Sequence, residues 1–287
     1  MSTTPFPIPV IAALGPGSQP EEESPSVLPM PRDMATWQPP SLPEPETFAA
    51  HADAVAALRA AHAQLERWLL GEPTEPVELA GLSDADRQLI HQVLGEGEVA
   101  AAVDGPDGLQ AQESVFAGVW RVLHLQDGVL HRDTIEIGAV PARVRSAARA
   151  DGAAGEHAEV PTPDDLMNGP AVLAELADAQ RRWQPGAPQH VVNMTLLPLT
   201  TGDSHWLQAR IGEGRVRILS RGYGNCRIVD TWQPRTWRVT YFNAQDLILL
   251  DTVEVGDVPE VACAAPDDLA DSQRRLGEVL NWVESAT

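Results

Sequence analysis

The sequence predicts an α+β fold made of two tandem repeats, each with helices packed on an antiparallel β-meander, and an extended Pro-rich N-terminal arm. Three observations predict this class: short segments recur at one spacing, strand-like runs follow one another over short turns, and prolines concentrate near the N-terminus. We therefore divide the 287 residues into the arm over 1–48, a first, degenerate repeat over 49–160 and a second repeat over 161–287.

The N-terminal arm holds Pro-rich runs such as PFPIPV and WQPPSLPEPE. Because proline lacks a backbone N–H and disfavours helix, we expect this segment to be extended or without fixed structure when free. Apolar residues along it can anchor it to a globular body or to a partner: Phe6, Ile8, Val10, Ile11, Leu28, Met30, Met34 and Trp37. A solvated tail is the alternative interpretation.

The Ala-rich segment over 50–70 predicts a helix. Its larger apolar residues have helical spacing, namely Val55, Leu58, Leu65 and Trp68. His51 and His62 lie on this segment, but no spacing of partner ligands supports a metal site. We therefore expect two histidines that are exposed or at the edge of the core.

The two repeats share short motifs at a nearly constant spacing. GEG at 95–97 recurs at 212–214, an offset of 117, and the WRV of 120–122 recurs at the same offset. DTIEIGAVP from Asp133 recurs as DTVEVGDVP from Asp251 at an offset of 118, so one residue has been inserted between the motifs. This self-similarity predicts one structural unit present twice.

Each repeat is expected to follow one plan. A helix of about three turns ends at Gly-Glu-Gly, where glycine can adopt a left-handed cap. Four antiparallel strands follow, with helices on one face of the meander; in the second repeat they are predicted at 215–220, 226–232, 236–243 and 246–255. A helix closes the unit. It is predicted to begin at a PDDL motif, at Pro163 and again at Pro266, because aspartate is favourable in the first turn of a helix.

Composition limits the function classes. Apolar residues make up 43% of the chain, enough for a sizeable core. No run approaches the roughly 20 apolar residues of a membrane helix, and the Pro-interrupted start lacks the basic segment of a signal peptide. The two cysteines, Cys226 and Cys263, form neither a CxxC motif nor a disulfide framework. A reduced, cytoplasmic protein without membrane insertion is expected.

The charge of the chain is strongly negative. Asp and Glu total 41 against 20 basic residues, all of them Arg, for a net charge of −21. Such a surface repels the phosphate backbone, which argues against nucleic acid as a partner. It attracts basic partners, although solubility alone also explains it.

The stretch SRGYGNCRI, starting at Ser220, carries more special residues than a turn needs. At the corresponding place the first repeat has DGPDGLQAQ from Asp104, which keeps turn-forming residues and lacks the others. The predicted partner-binding residues are Arg221, Tyr223, Asn225, Cys226 and Arg227. A plain turn explains the glycines, and a buried structural thiol remains the alternative for Cys226.

The sequence contains none of the usual catalytic motifs. There is no P-loop, no GxGxxG after a strand and no HExxH, and the nearest histidine to Cys226, His205, lies in a predicted helix. His124 and His131 flank a predicted hairpin turn and lack further ligands for a metal. We therefore expect no enzyme, no metal and no cofactor. The alternative is a redox or iron–sulfur-handling factor using Cys226 with Cys263, which provides half of the usual four thiolates.

Two long segments resemble a known family. LLPLTTGDSHWLQARIGEGRVRILSRGYGNCRI and WRVTYFNAQDLILLDTVEVGDVPEVACAAPDDLADS closely resemble hydrogenase expression/formation proteins of the HupH/HyaF type. PFPIPVIAALGPGSQPEEE, LPMPRDMATWQPP and ESVFAGVWRV look like the same family, so the resemblance covers nearly the whole chain.

The resemblance implies accessory work in the maturation of a NiFe uptake hydrogenase. Its implied partners are the iron–sulfur small subunit, held before export, and other hydrogenase accessory proteins; it implies no catalytic residues. Exported small subunits carry a twin-arginine signal peptide, which is basic and then apolar. An acidic protein with an anchored arm and exposed hairpin tips is compatible with holding such a segment.

Overall fold

A computed structural model describes residue 48 and residues 50–154, 160–222 and 224–285, so most of the predicted arm lies outside the described residues. Six helices occur in that part: α1 Ala52–Leu69, α2 Asp84–Leu94, α3 Ala142–Ala154, α4 Gly169–Arg182, α5 Thr201–Ile211 and α6 Pro266–Ser285. The ten strands are β1 Val77–Glu78, β2 Val99–Val103, β3 Leu109–Glu113, β4 Val119–Gln126, β5 Val129–Ile137, β6 His190–Asn193, β7 Val216–Ser220, β8 Asn225–Asp230, β9 Thr236–Phe242 and β10 Ile248–Val255. None of these helices is both long and apolar enough to cross a bilayer.

All ten strands form one antiparallel sheet in the order β1-β5-β4-β3-β2-β7-β8-β9-β10-β6. The meanders β2–β5 and β7–β10 meet where β2 pairs with β7. At the centre of that pair Ala101 lies opposite Ile218, and Val99 and Val103 lie opposite Ser220 and Val216. Ala101 and Ile218 are 117 residues apart, the same offset as the sequence motifs. The α+β class and the antiparallel sheet are confirmed.

The helices cover both faces of the sheet, contrary to the expectation of one face. Helices α1, α2 and α6 share a core with Val119 and Ile135, and α4 with α5 pack on Val253 on that same face. Helix α3 packs on the other face, called the α3 face below, where Val144 joins the core that contains Trp120. Strands β2, β7 and β8 place a buried residue at every second position there, so this apolar layer also needs a cover.

The bounds of the predicted strands and of the first helix agree closely with the structure, and one predicted helix start is wrong. The helix expected over 50–70 is α1, and the four strands expected in the second repeat are β7 to β10 with bounds shifted by at most two residues. PDDL at Pro266 begins α6, but PDDL at Pro163 is wrong as a helix start: it forms a turn, and α4 begins at Gly169. The reason is tertiary, because the Asp165 carboxylate accepts the Gly202 N–H at 3.0 Å and serves α5 instead.

Both Gly-Glu-Gly motifs end a helix, as expected. Gly95 and Gly212 cap α2 and α5 with φ of 57° and 68°, a region that favours glycine. Their ψ values of −165° and −180° place them outside the left-handed helical conformation that was expected. The second glycine is needed for space: a Cβ on Gly214 would lie 2.2 Å from the Asp230 carboxylate.

Two buried aspartates tie the helices of each half together. The Asp203 carboxylate accepts hydrogen bonds at 2.8 Å from the backbone N–H groups of Met167 and Gly169, which lie before and at the start of α4. It also accepts the backbone N–H groups of Asn168 and Thr200 at 3.1 Å. Burial raises its pKa, but these four donors outweigh burial and lower the pKa to about 2. Asp86, 117 residues earlier, binds the His51 ring just before α1 at 2.8 Å.

Replacing Asp203 with alanine is expected to lower the free energy of unfolding by about 3 kcal/mol, because buried N–H groups lose their acceptor. The matched variant Asp86→Ala should cost less, since water can replace Asp86 at its half-buried partner His51. Because the folded-state pKa of Asp203 is lowered, its contribution is present above about pH 4 and is lost as the pH falls towards 2. Urea denaturation at pH 7 and pH 3 checks both points; equal losses in the two variants would contradict the role given to Asp203.

Candidate partner-binding face

The predicted partner-binding loop forms the tip of the β7–β8 hairpin. Arg221 is exposed, and its backbone N–H donates to the Glu98 carbonyl oxygen at 3.0 Å. Gly222 lies against the Glu98 carboxylate, where an added Cβ would approach Oε2 to 2.1 Å. Gly224 has a φ of 102°, which L residues rarely adopt. The positive φ gives Gly224 a structural reason, whereas the exposed Glu98 side chain beside Gly222 can move aside. Tyr223 lies outside the described residues.

The β2–β3 hairpin in the first half is held in the same way. The Asp104 N–H donates to the Arg215 carbonyl oxygen at 2.9 Å, and the Asp104 carboxylate pairs with Arg217. Asp104 and Arg215 lie 117 residues from Arg221 and Glu98 respectively. Each hairpin tip thus rests on the segment that follows the glycine-capped helix of the other half.

The pleat of β8 divides the predicted contact residues between two faces. Cys226 is 2% exposed and lies on the α3 face, with Tyr241 opposite it on β9. Its sulfur is therefore a core atom rather than a surface contact. Asn225 and Arg227 lie on the opposite face, where the Arg227 guanidinium stands 5.2 Å from the centre of the Phe242 ring. The structure brings Asn225 and Arg227 together and separates them from Cys226.

Within the described part of the chain, no helix packs on the centre of the face that carries Arg227. In β2, Val99, Ala101 and Val103 are buried on the α3 face, whereas Ala100 and Ala102 on the other face are only half-buried. Helices pack at the two ends of that face, α1, α2 and α6 near β5 and α4 with α5 near β10. Strand pairing places residues of β3, β7 and β8 beside Ala100 and Ala102 on this face. We call the resulting surface the central face, and it consists of Ala100, Ala102, Gln110, Gln112, Leu219 and Arg227.

Paired charges and exposed glutamates surround the central face. Arg121 forms an ion pair with Asp133 at 2.8 Å, and Arg238 forms one with Asp251 at 2.9 Å, both on this side of the sheet. The glutamates of the segments that precede β2 and β7 are exposed: Glu96, Glu98 and Glu213. Carboxylates therefore prevail in these two segments, which suits a basic and partly apolar client, while Arg227 adds a cation on the face itself.

The two cysteines are not poised for chemistry. Both are free thiols. Burial, followed by the charge of Glu254, raises the pKa of Cys226 to about 12, and burial raises the pKa of Cys263 to about 11. Since the thiolate is the nucleophile and the metal ligand, neutral thiols do not favour a redox or cluster-carrying role. Within the described ranges no group of three or more His, Cys, Asp or Glu side chains is placed to hold a metal ion.

His124, His131 and His205, which the sequence singled out, do not form a metal site with the cysteines in the described structure. His124 is buried and pairs with Glu136 at 3.2 Å, while His131, across the hairpin turn, is exposed. His205 is exposed on α5.

A buried acidic group that the sequence did not reveal joins α3 to the sheet. Asp230, 1% exposed, accepts the Val216 N–H at 2.8 Å, and burial, with the nearby charge of Asp151, raises its pKa to about 8. Asp151 on α3 pairs with Arg215 at 2.7 Å; burial raises its pKa, but the bonds from Arg215 outweigh burial and lower it. At neutral pH Asp230 therefore holds a proton beside an ionised Asp151.

The first half has a similar acid at the corresponding place. Glu113 lies 117 residues before Asp230 and is also buried, and its burial raises its pKa to about 7. Its carboxylate accepts the Gly118 N–H at 3.0 Å. Aligning the halves by their offset reveals an acid at both strand ends, which is the signal that was available in the sequence. Nothing in either half's sequence reveals that these acids are buried and that their pKa values are raised.

Comparisons with known proteins agree in pointing to hydrogenase accessory proteins. A family model described as HupH hydrogenase expression protein, C-terminal conserved region, matches residues 52–158 and 166–283. Hydrogenase expression/formation protein HoxQ of Cupriavidus necator is 49% identical over 98% of this chain and 99% of its own length. HupH of Rhodobacter capsulatus is 44% identical over 94% and 95%, and the hydrogenase-1 operon protein HyaF of Escherichia coli is 34% identical over 95% and 96%.

A solved structure of the hydrogenase expression protein HupH from Thiobacillus denitrificans is 27% identical to this chain. It covers 39% of this chain and 94% of its own, with a TM-score of 0.37.

The Asp230→Asn variant is expected to be more stable than the wild type at pH 8.5, because the amide needs no proton when buried. The folded-state pKa of Asp230 is raised above the unfolded value of about 4. Its favourable contribution is thus full below about pH 4 and is lost as the pH rises through 8, by at most about 1.4 kcal/mol per pH unit.

Urea denaturation of both proteins at pH 5, 7 and 8.5 checks this expectation. Glu113→Gln is the matched variant and should show the same sign over a window that ends near its pKa of about 7. A constant difference between Asp230→Asn and wild type at all three pH values contradicts a titrating Asp230.

Proposed function

The chain belongs to the HupH family of hydrogenase expression proteins, and from that premise we propose that it is a non-enzymatic chaperone that holds the iron–sulfur small subunit of a NiFe uptake hydrogenase before export. Its relatives are hydrogenase expression/formation proteins, so its work belongs to hydrogenase maturation. The observation that carries the finer proposal is the open central face with its exposed glutamates.

The central face matches the chemistry of a twin-arginine signal peptide. Half-buried Ala100, Ala102 and Leu219 provide a shallow apolar floor for the apolar part of such a peptide. Exposed Glu96 and Glu213 provide partners for its arginines. These features support a client that is bound as an extended segment before it crosses the membrane, and hence a cytoplasmic place of action.

The predicted loop supplies donors at the edge of that face. Asn225 and Arg227 lie on it, and stacking against Phe242 limits the freedom of the Arg227 guanidinium. A guanidinium and an amide can donate hydrogen bonds to the backbone carbonyl groups of an extended client. We assign Arg221 and Tyr223 to the same contact as neighbours in the hairpin, and we leave the buried Cys226 out.

We further propose that the chain contains one unit twice, over 49–160 and 161–287, with the arm over 1–48 as a second client contact. The two segments matched by the family model, the motif offset of 117 and the β2–β7 register support the duplication. Deletion of 1–48 is the direct test of the arm: unchanged affinity for the small subunit removes it from the contact.

The purified chain is expected to form a complex with its small subunit at about 50 mM salt, weaker at about 500 mM because screening shortens the reach of surface charges. Deleting the signal peptide should weaken the complex at least about tenfold, or about 1.4 kcal/mol. Co-migration on a sizing column and titration calorimetry measure both effects. No complex at low salt counts against the proposal.

Charge-reversal variants locate the contact. Glu213→Arg, beside the central face, should weaken binding about tenfold, as expected for a charge that pairs with the client. Glu260→Arg makes the same charge change at an exposed position between β10 and α6 and should have little effect. Equal losses in the two variants would mean that only net charge matters.

The Cys226→Ser variant should still bind the small subunit, whereas a thiol-dependent carrier would lose its client with this change.

A further inference from the structure

Helix α6 packs against α1 and Phe116 in the first half, and we call this helix-binding position a seat. It packs along α1, and its apolar stripe joins a core with Leu58 and Phe116. Leu269 fills the space above Gly118, where an added Cβ would lie 2.5 Å from its Cγ. The Arg275 guanidinium lies 5.3 Å from the centre of the Phe116 ring. Polar residues at the edge of this contact, including Arg59 and His62 of α1, line a cavity of about 480 Å3.

The second half has a related seat on α4, and no helix of the described residues covers it. Leu173, Ala177 and Gln180 of α4 lie 118 residues after Val55, Arg59 and His62, the α1 residues at and near the α6 contact. In the described part of the chain α4 packs with α5, β6 and β10, and these three residues stay half-buried. With Arg210 and Gln233 they line a cavity of about 330 Å3.

Chain order explains the difference between the seats. The helix that follows the first meander, α3, crosses to the α3 face and packs on β2, β7 and β8. The helix that follows the second meander, α6, packs on α1 in the first half. Among the described helices, α6 is thus the one available for two related seats, and it fills the first.

The open seat differs in chemistry from the filled one. Val93 and Phe116 in the first half correspond, 117 residues later, to Arg210 and Gln233. Arg210 is half-buried with its guanidinium 5.4 Å from the centre of the Trp206 ring, and among the described residues it forms no ion pair with a carboxylate. The apolar side chains of Leu173 and Ala177 beside the half-buried Arg210 fit a segment with apolar side chains and one carboxylate.

We propose that the groove between α4 and α5, lined by Leu173, Ala177, Gln180, Arg210 and Gln233, binds an amphipathic helix of a partner protein that places a carboxylate opposite Arg210. The α4 residues are spaced at i, i+4 and i+7, so they form one stripe along a helix of matching length. The cavity accepts a few side chains of that helix, which lies over the groove as α6 lies over α1. This site is separate from the central face and does not depend on which client that face holds.

A peptide of residues 266–283, the α6 sequence, is a suitable probe. Arg275 lies over Phe116 in the filled seat, so position 275 of a helix in the open seat faces Gln233 and Arg210. Fluorescence anisotropy of the labelled peptide and of its R275E form, titrated with the full chain, measures binding. The R275E peptide should bind with saturation and at least tenfold more tightly than the unmodified peptide.

Variants of the chain assign the binding to the open seat. Ala177→Trp fills the groove and should weaken R275E peptide binding at least tenfold, whereas Arg59→Trp, the matched change beside the filled seat, should leave it unchanged. Arg210→Glu should reverse the preference between the two peptides. Thermal melts confirm that each variant folds, since these positions are only partly buried or exposed.

Three outcomes overturn the proposal. The first is no saturable binding of the R275E peptide, and the second is equal binding of the two peptides. The third is a loss with Arg59→Trp rather than Ala177→Trp, which would show that the peptide displaces α6 from its own seat. The small subunit is absent from this assay, so the result is independent of the chaperone proposal.

Discussion

The pairing of β2 with β7 is the contact on which the rest of the structure depends. It joins two four-stranded meanders into one sheet and sets Ala101 opposite Ile218. If β7 slipped by one residue against β2, Ile218 would move to the face opposite to Ala101, so the apolar layer under α3 fixes this register. The same register brings each hairpin tip against the other half, through the bonds from Asp104 to Arg215 and from Arg221 to Glu98.

Once the register is set, the pleat of the sheet decides which residues are accessible. Cys226 and Arg227 are neighbours in sequence, yet one lies under α3 and the other on the central face. Burial also gives the acids their properties: Asp203, surrounded by backbone donors, stays ionised, whereas Asp230, with one donor and a neighbouring carboxylate, holds a proton. Two aspartates thus differ in ionisation at neutral pH because their surroundings differ.

The sequence predicted local features well and tertiary features poorly, for a physical reason. Periodicity and turn residues depend on neighbouring positions, so α1 and β7 to β10 were predicted to within two residues. PDDL at Pro163 failed because Asp165 bonds to Gly202, a distant residue. The loop at Ser220 was located, but its division between faces and the open seat at Ala177 follow from packing that no local pattern records.

The correspondence between the halves also explains where a binding surface can arise. At positions that the fold requires, the halves agree: Gly95 and Gly212 both cap a helix with positive φ. The halves differ at positions where the fold does not dictate the side chain. Gln110 of the first half corresponds to Arg227 on the central face, and Val93 corresponds to Arg210 beside α4. A symmetric frame with unlike surfaces presents a different chemistry at each related position. Among the described helices, α6 adds to this difference, because it covers one of two related seats and leaves uncovered the other, where Arg210 lies beside Leu173 and Ala177. The two proposed binding surfaces therefore lie where the halves differ, and the β2–β7 pairing holds those positions in place.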